Sequence, residues 1–180
     1  MSPTATMATN AVPPMEGERK KRELLSLALQ ELGIAMETLP YLDRPLRNGM
    51  IGVFCKNLFL KDRKGQFYLV ICPEDKDVNL KSLKVQLGAH RNFSFGSALD
   101  LMGKLGVGPG AVTPLGLIFD TGSSIKVVID QSLAADPTLL MNFHPLTPDE
   151  TTLLTFENLE TFVKHTGHSL HVLDLESPGK

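Results

Sequence analysis

Lys56 and Asn57 stand side by side at the head of CKNLFLKD, residues 55–62, an apolar run that ends in charge. A lysine so placed can grip a phosphate or a developing oxyanion through a charge-assisted contact, and the asparagine adds a directional hydrogen bond. The same pair could equally be the polar edge of a strand whose Leu58, Phe59 and Leu60 enter the core. GPGAVTP, residues 108–114, sets two glycines among two prolines. Its backbone is stiff at Pro109 and Pro114 and bare at Gly108 and Gly110, which suits either a tight turn or the presentation of amide groups to a ligand. NFHP, residues 142–145, places Asn142 and His144 at the end of an apolar run just before a proline, where a histidine serves as a structural residue or lines a site.

Other templates fail. The G-x-S-x-G elbow is absent, and GVGPGAVTPLG follows a helical pattern and opens no helix, so it is not a dinucleotide loop. His165, His168 and His171 are three apart, but Gly167 breaks the helix between them, so surface histidines are expected and no metal site. Cys55 beside Lys56 invites a redox or nucleophilic role, against the commoner small core thiol. No cofactor is implied.

The elements that position these residues follow from periodicity. Leu24, Leu25, Ala28, Leu29 and Leu32 form one stripe of a helix starting near Glu18 and ending at Gly33. Arg19, Lys20, Lys21 and Arg22 in its first turns oppose the helix dipole and are expected to face solvent. Residues 57–72 read as a β-hairpin turning at Gly65. NLKSLKVQLG and SALDLMGKLG read as short helices, IKVVID, LLMNF and LHVLDL as strands, and FENLETFVKHTG as an amphipathic helix. The predicted fold class is α/β: a single domain with a mixed, partly barrel-like β-sheet flanked by short helices.

The chain has 180 residues, 42% hydrophobic and 21% charged, within the range of one globular domain. No window approaches a membrane span. A net charge of −2 leaves no broad basic footprint, so any nucleic acid is expected to be held locally. Two cysteines suit a reducing compartment, and the cytoplasm is the expected location. Residues 1–16 read as a disordered tail, 17–176 as the domain and 177–180 as a C-terminal tail.

Taken in order, KNLFLKD, a K-G turn and YLV, LKSLKVQLG, LGVGPGAVTPLGL, VVID, NFHP and TGH resemble the free-standing aminoacyl-tRNA editing domains related to the insertion domain of bacterial prolyl-tRNA synthetase. The resemblance runs from about residue 20 to residue 175. It implies a hydrolase that deacylates mischarged tRNA, above all alanyl-tRNA for proline. Clearance of the cysteinyl ester, or a module that holds tRNA or synthetase without hydrolysis, are the alternatives. The partners implied are the acceptor end of aminoacyl-tRNA and prolyl-tRNA synthetase. The resemblance puts the essential lysine on Lys56, its neighbour on Asn57, the substrate loop on Gly110 and Pro114, and the pocket histidine on His144; Gly108 and Asn142 beside them complete the expected substrate-binding set. Asp43-Arg44-Pro45 stands where relatives commonly carry histidine before proline, and Phe119 where many have asparagine.

Overall fold

The computed structural model describes residues 16–43 and 46–176. The tails expected at 1–16 and 177–180 lie outside the described residues except for Glu16, as do Arg44 and Pro45 of the Asp43-Arg44-Pro45 departure.

Helix α1 spans Glu16–Glu31 and buries Leu25, Ala28 and Leu29, the inner part of the expected stripe. Gly33, at φ +67, ends it in the left-handed conformation that glycine adopts without strain. The basic run is only half solvated. Arg19 and Lys20 pair with Glu23 and Glu16 one turn away, but Lys21 Nζ donates to the carbonyl of Gly106 at 2.8 Å and Arg22 pairs with Glu150. The two inner cations therefore cross to other parts of the fold, which a local charge pattern does not reveal.

Strand β1 (Glu37–Pro40) follows, then β2 (Val53–Lys61) and β3 (Phe67–Pro73), which form the expected hairpin with a longer first arm. Asn79 caps α2 (Leu80–Leu87) by accepting from Ser82 N–H, and Gly88 at φ +60 closes it. A two-residue strand β4 (Ser94–Phe95) leads to α3 (Ala98–Leu105), where Ser97 and Asp100 make a capping box. A 3₁₀ helix (Pro114–Phe119) precedes β5 (Ile125–Asp130), the one-turn α4 (Gln131–Ala134), β6 (Leu140–Phe143) and β7 (Glu150–Thr155). Helix α5 (Phe156–His165) and strand β8 (Leu170–Leu173) complete the chain.

Among the described residues eight strands make one mixed sheet in the order β1-β7-β6-β2-β3-β5-β8, with β4 beside β2. The β2–β3, β1–β7 and β6–β7 ladders are antiparallel; β2–β6, β3–β5 and β5–β8 are parallel. This is the mixed α/β architecture expected. One face of β2 and β3 carries Phe59, Leu69 and Ile71 into a core shared with α1, α3, α5 and the 3₁₀ helix. The other carries Leu60, Tyr68, Val70 and Cys72 against Leu83 of α2.

Candidate active site at the open edge of β2

Among the described residues, other strands pair with the outer edge of β2, away from β3, at both ends and not in the middle. At its start Val53 and Phe54 pair in parallel with Met141 and Asn142 of β6; at its end Leu60 and Lys61 pair with Phe95 and Ser94 of β4. Between them the two neighbours diverge, and the gap falls on residues 55–58, which include Lys56 and Asn57. Because the Phe59 carbonyl accepts from Gly96 N–H on this edge, alternation along the strand points the N–H and C=O of Asn57 into the same gap.

The start of the gap is locked by close approach. Gly52 sits at φ +86, and a Cβ there would stand 3.0 Å from the Leu140 carbonyl, Asn142 Nδ2 and Leu153 Cδ2. Asn142, 3% exposed, donates from Nδ2 to the Ile51 carbonyl at 2.9 Å and accepts from Thr151 Oγ1 at 3.3 Å. Its amide is thus committed at both ends to holding β6 against the entry to β2.

Strand alternation sorts the site residues onto faces. Phe54 and Lys56 share a face of β2 with Asn142 of β6, and His144 follows one residue beyond the end of β6. His144 is half-buried; its Nδ1 lies 2.9 Å from the Glu150 carbonyl, and its ring packs 4.6 Å from that of Tyr41. A carbonyl oxygen only accepts, so Nδ1 carries a proton, and in the neutral ring Nε2 is the nitrogen with the lone pair.

Asn57 meets the glycine-proline loop. Its Nδ2 donates to the Val112 carbonyl at 3.0 Å, while its Oδ1 is buried without a partner. The loop is shaped by a turn in which Ala111 N–H bonds the Gly108 carbonyl at 3.3 Å, with Gly110 at φ +89. Pro114 is buried at the first position of the 3₁₀ helix, behind Thr113, whose side chain accepts from Leu115 N–H. Pro114 thereby sets the direction of the loop from inside the fold. Gly108 also lines a cleft of about 300 Å³, with Lys21, Arg22, Pro109, Leu146 and Pro148, which neither Lys56 nor His144 reaches.

A family model of the aminoacyl-tRNA editing domain matches residues 48–162. The chain belongs to that family. It is 39% identical over 127 residues to a Bos taurus protein named prolyl-tRNA synthetase associated domain-containing protein 1, covering 69% of this chain and 74% of the relative. It is 36% identical over 121 residues to the Acetoanaerobium sticklandii protein named prolyl-tRNA editing protein ProX, covering 67% and 72%. A solved structure proposed as a trans-editing enzyme for prolyl tRNA synthetase shares the fold, with a TM-score of 0.63 at 18% identity over 92% of this chain and 99% of that one.

Two expectations about the editing domain's titratable residues need correction or narrowing. His168 is not a surface histidine: it is 5% exposed, with Nε2 3.0 Å from Asp120 Oδ2 and Nδ1 3.0 Å from Thr166 Oγ1. Gly167, at φ +81, turns the chain so that His168 enters the core, while His165 and His171 remain outside. Burial opposes ionisation of Asp120, but hydrogen bonds from His168, Ser124 and Ile125 N–H outweigh it and hold the carboxyl below its ordinary range. Cys55 is half-buried on the core side of β2, and burial, aided by Cys72 and Glu74, pushes its thiol far up. That disfavours the thiolate that nucleophilic or redox chemistry requires.

Three side chains beside the editing domain's site escaped sequence reasoning. Arg47 stacks over Tyr41 and Phe54, 4.5 and 4.2 Å from their ring centroids, donates from Nε to the Leu42 carbonyl at 2.6 Å, and pairs with Glu74 at 2.8 Å. The Arg47–Tyr41 stack backs the ring of His144. Tyr41 and Arg47 lie in the irregular connection between β1 and β2 and Glu74 in the turn after β3, so no periodicity or spacing marks them.

Proposed function

We propose that this chain is a trans-acting deacylase that clears mischarged tRNA for proline, with the alanyl ester as its main substrate. The observation that carries the reading is the gap in β2's outer edge at residues 55–58, with Lys56 on one face of the strand and Asn57, whose Oδ1 has no partner, on the other. The family, and relatives whose names refer to prolyl-tRNA editing and synthetase association, support it.

The reaction needs no protein nucleophile. Water adds to the ester carbonyl, the C–O bond to the terminal ribose breaks, and the ribose oxygen leaves with a proton, giving free amino acid and tRNA. Lys56 grips phosphate or ester oxygen at the tRNA's 3′ end, and the glycine loop presents backbone N–H groups to the developing oxyanion. Asn57 Oδ1 accepts from the substrate's ammonium or ribose hydroxyl, and His144 Nε2 positions the amino-acid end or the water. The vicinal ribose hydroxyl hydrogen-bonds the attacking water and relays its proton to the departing ribose oxygen. Asn142 and Pro114 hold these groups in place.

Editing of alanine has a physical rationale. A pocket built for proline rejects a smaller side chain by only about 1–3 kcal/mol per methylene, so a second site must remove the error. Incubating the protein with alanyl-, cysteinyl- and prolyl-tRNA and following ester loss tests the reading. Alanyl ester should disappear fastest and prolyl ester should persist. Faster loss of the cysteinyl ester transfers the assignment to cysteine. Equal loss of prolyl ester overturns editing, because the correct product would be destroyed.

A further inference from the structure

At the far end of the β2–β3 hairpin lies a cleft of about 600 Å³ lined by Lys64, His90, Arg91, Lys104 and Lys126, with Asp62 as its one carboxylate. Four of the chain's 18 lysines and arginines thus meet at one place in a protein of net charge −2. Asp62 offsets one of these four charges but makes no ion pair with any of them among the described residues. It is 7% exposed and accepts from Lys64 N–H at 2.9 Å, Gln66 N–H at 3.0 Å, His90 N–H at 3.1 Å and Tyr68 Oη at 3.3 Å. Those bonds fasten the hairpin turn to the 88–91 loop, and Arg63 N–H adds a bond to the His90 carbonyl at 3.1 Å.

The fastening has a conformational cost at the adjacent residue. Arg91 stands at φ +62, a left-handed conformation that a long side chain rarely adopts. Lys64, Arg91 and Lys126 are exposed, and among the described residues none has a carboxylate within 4 Å. Lys126 lies 5.8 Å over the Tyr68 ring; Lys104 donates to Ser124 Oγ at 2.8 Å.

We propose that this cleft holds the sugar-phosphate backbone of the tRNA whose 3′ end occupies the gap in β2, a second RNA contact that fixes the stem relative to the ester. It rests on the tRNA reading above. One rigid strand joins the two places: from Lys56 to Asp62 is six steps of β-strand, on the order of 20 Å, a separation that a stacked acceptor stem spans. The cleft suits phosphate better than an acidic protein. Its large apolar side chains, Phe67 and Tyr68, are buried, so it offers no exposed apolar anchor of the kind that concentrates binding energy between proteins. Phosphate binding requires only cations and polar donors.

The test is the salt dependence of binding to deacylated tRNA, comparing wild type with the triple variant Lys64→Ala, Arg91→Ala, Lys126→Ala. Removing three exposed cations should weaken binding roughly tenfold to a hundredfold and flatten the slope of log K against log salt by about two to three. Lys126→Glu alone should move both in the same direction, with unchanged circular dichroism. Hydrolysis of an alanylated CCA trinucleotide, too short to reach the cleft, should be the same in every variant. A tRNA affinity and slope equal to wild type in a folded triple variant overturns the proposal, as does failure of wild type to bind tRNA. Loss confined to polyglutamate binding also overturns it and assigns the cleft to an acidic polypeptide. A wild-type protein that binds tRNA with the expected slope but hydrolyses no ester sinks the deacylase reading and leaves the cleft standing.

Discussion

His144 Nδ1 donates to the backbone carbonyl of Glu150 across 2.9 Å, so the first residue of β7 selects which ring nitrogen carries a proton. The sequence shows no carboxylate placed to orient this ring, and none is needed: the β7 backbone and the Tyr41 ring do it. An oriented Nε2 lone pair suits either pocket shaping or proton abstraction. The two separate experimentally. Replacing the terminal ribose hydroxyl by hydrogen should lower the rate more than about a hundredfold, and His144→Ala should cost less, if the substrate supplies its own base. Full activity on the deoxy-terminated substrate together with collapse in His144→Ala would reverse the assignment.

Lys56→Ala should leave the fold intact and lower kcat/KM for alanyl-tRNA roughly tenfold to a hundredfold. The loss corresponds to one charge-assisted contact worth about 1.5–3 kcal/mol. Lys56 is half-buried on β2 between Cys55 and Asn57, and no backbone bond of the strand depends on its side chain. Thermal unfolding and single-turnover hydrolysis, measured together, decide it; wild-type turnover would remove Lys56 from the site.

The glycines divide by what they do. A Cβ on Gly108 meets nothing within 4 Å and its backbone is not left-handed, so Gly108→Ala should unfold at the wild-type temperature while raising KM if the substrate passes over the loop. Gly110→Ala forces a side chain into φ +89 and should cost about 1–2 kcal/mol. Gly116→Ala drives a Cβ to 2.6 Å from the Leu105 carbonyl and should cost about 1–3 kcal/mol or more without touching the site. Unchanged KM in Gly108→Ala would remove the loop from substrate binding.

Asp120 supplies a pH test of stability. Its carboxyl titrates below its ordinary value in the folded chain, so it binds fewer protons folded than unfolded near pH 4. Its contribution is therefore present above the unfolded value of about 3.9 and is lost as pH falls through the lower folded value. His168→Ala removes one hydrogen bond from this buried carboxylate and should destabilise by about 1.5–3 kcal/mol at neutral pH. In urea titrations the gap between wild type and Asp120→Asn should shrink as pH is lowered below 4; a constant gap would show that the carboxylate charge is not what matters.

Cys55→Ser should retain hydrolysis, and iodoacetamide should label native Cys55 far more slowly than a free thiol, because burial holds the thiol protonated. Rapid labelling with loss of activity would return a thiol mechanism to consideration.

The strongly periodic pieces were legible: the stripe of α1, the β2–β3 hairpin, both short helices and α5 each carry their own apolar repeat and end signals. Strand β1 was not, since ETLP is four residues long and contains a proline; its identity comes from pairing with β7 across the chain. Lys56, Asn57 and His144 could be named because their residue types were unusual in their settings. The gap in β2's edge beside Lys56 and Asn57 could not, because it arises where β6 and β4 part, a property of pairing and not of any local run. His168 was misread for the same reason: its partner, Asp120, is supplied by the segment before β5.

The strand order also dictates how a growing polypeptide can mature on the ribosome. The β2–β3 hairpin emerges early, but the strands that cover its two edges, β5 beside β3 and β6 beside β2, are made much later, and Val53 finds Met141 only after most of the chain has been synthesised. Until then the hairpin presents unpaired backbone on both sides together with a leucine- and valine-rich face, the features that invite pairing between nascent chains. Lysines at 56, 61 and 64 lie along it, like charges that repel a second hairpin before the first has found its own neighbours.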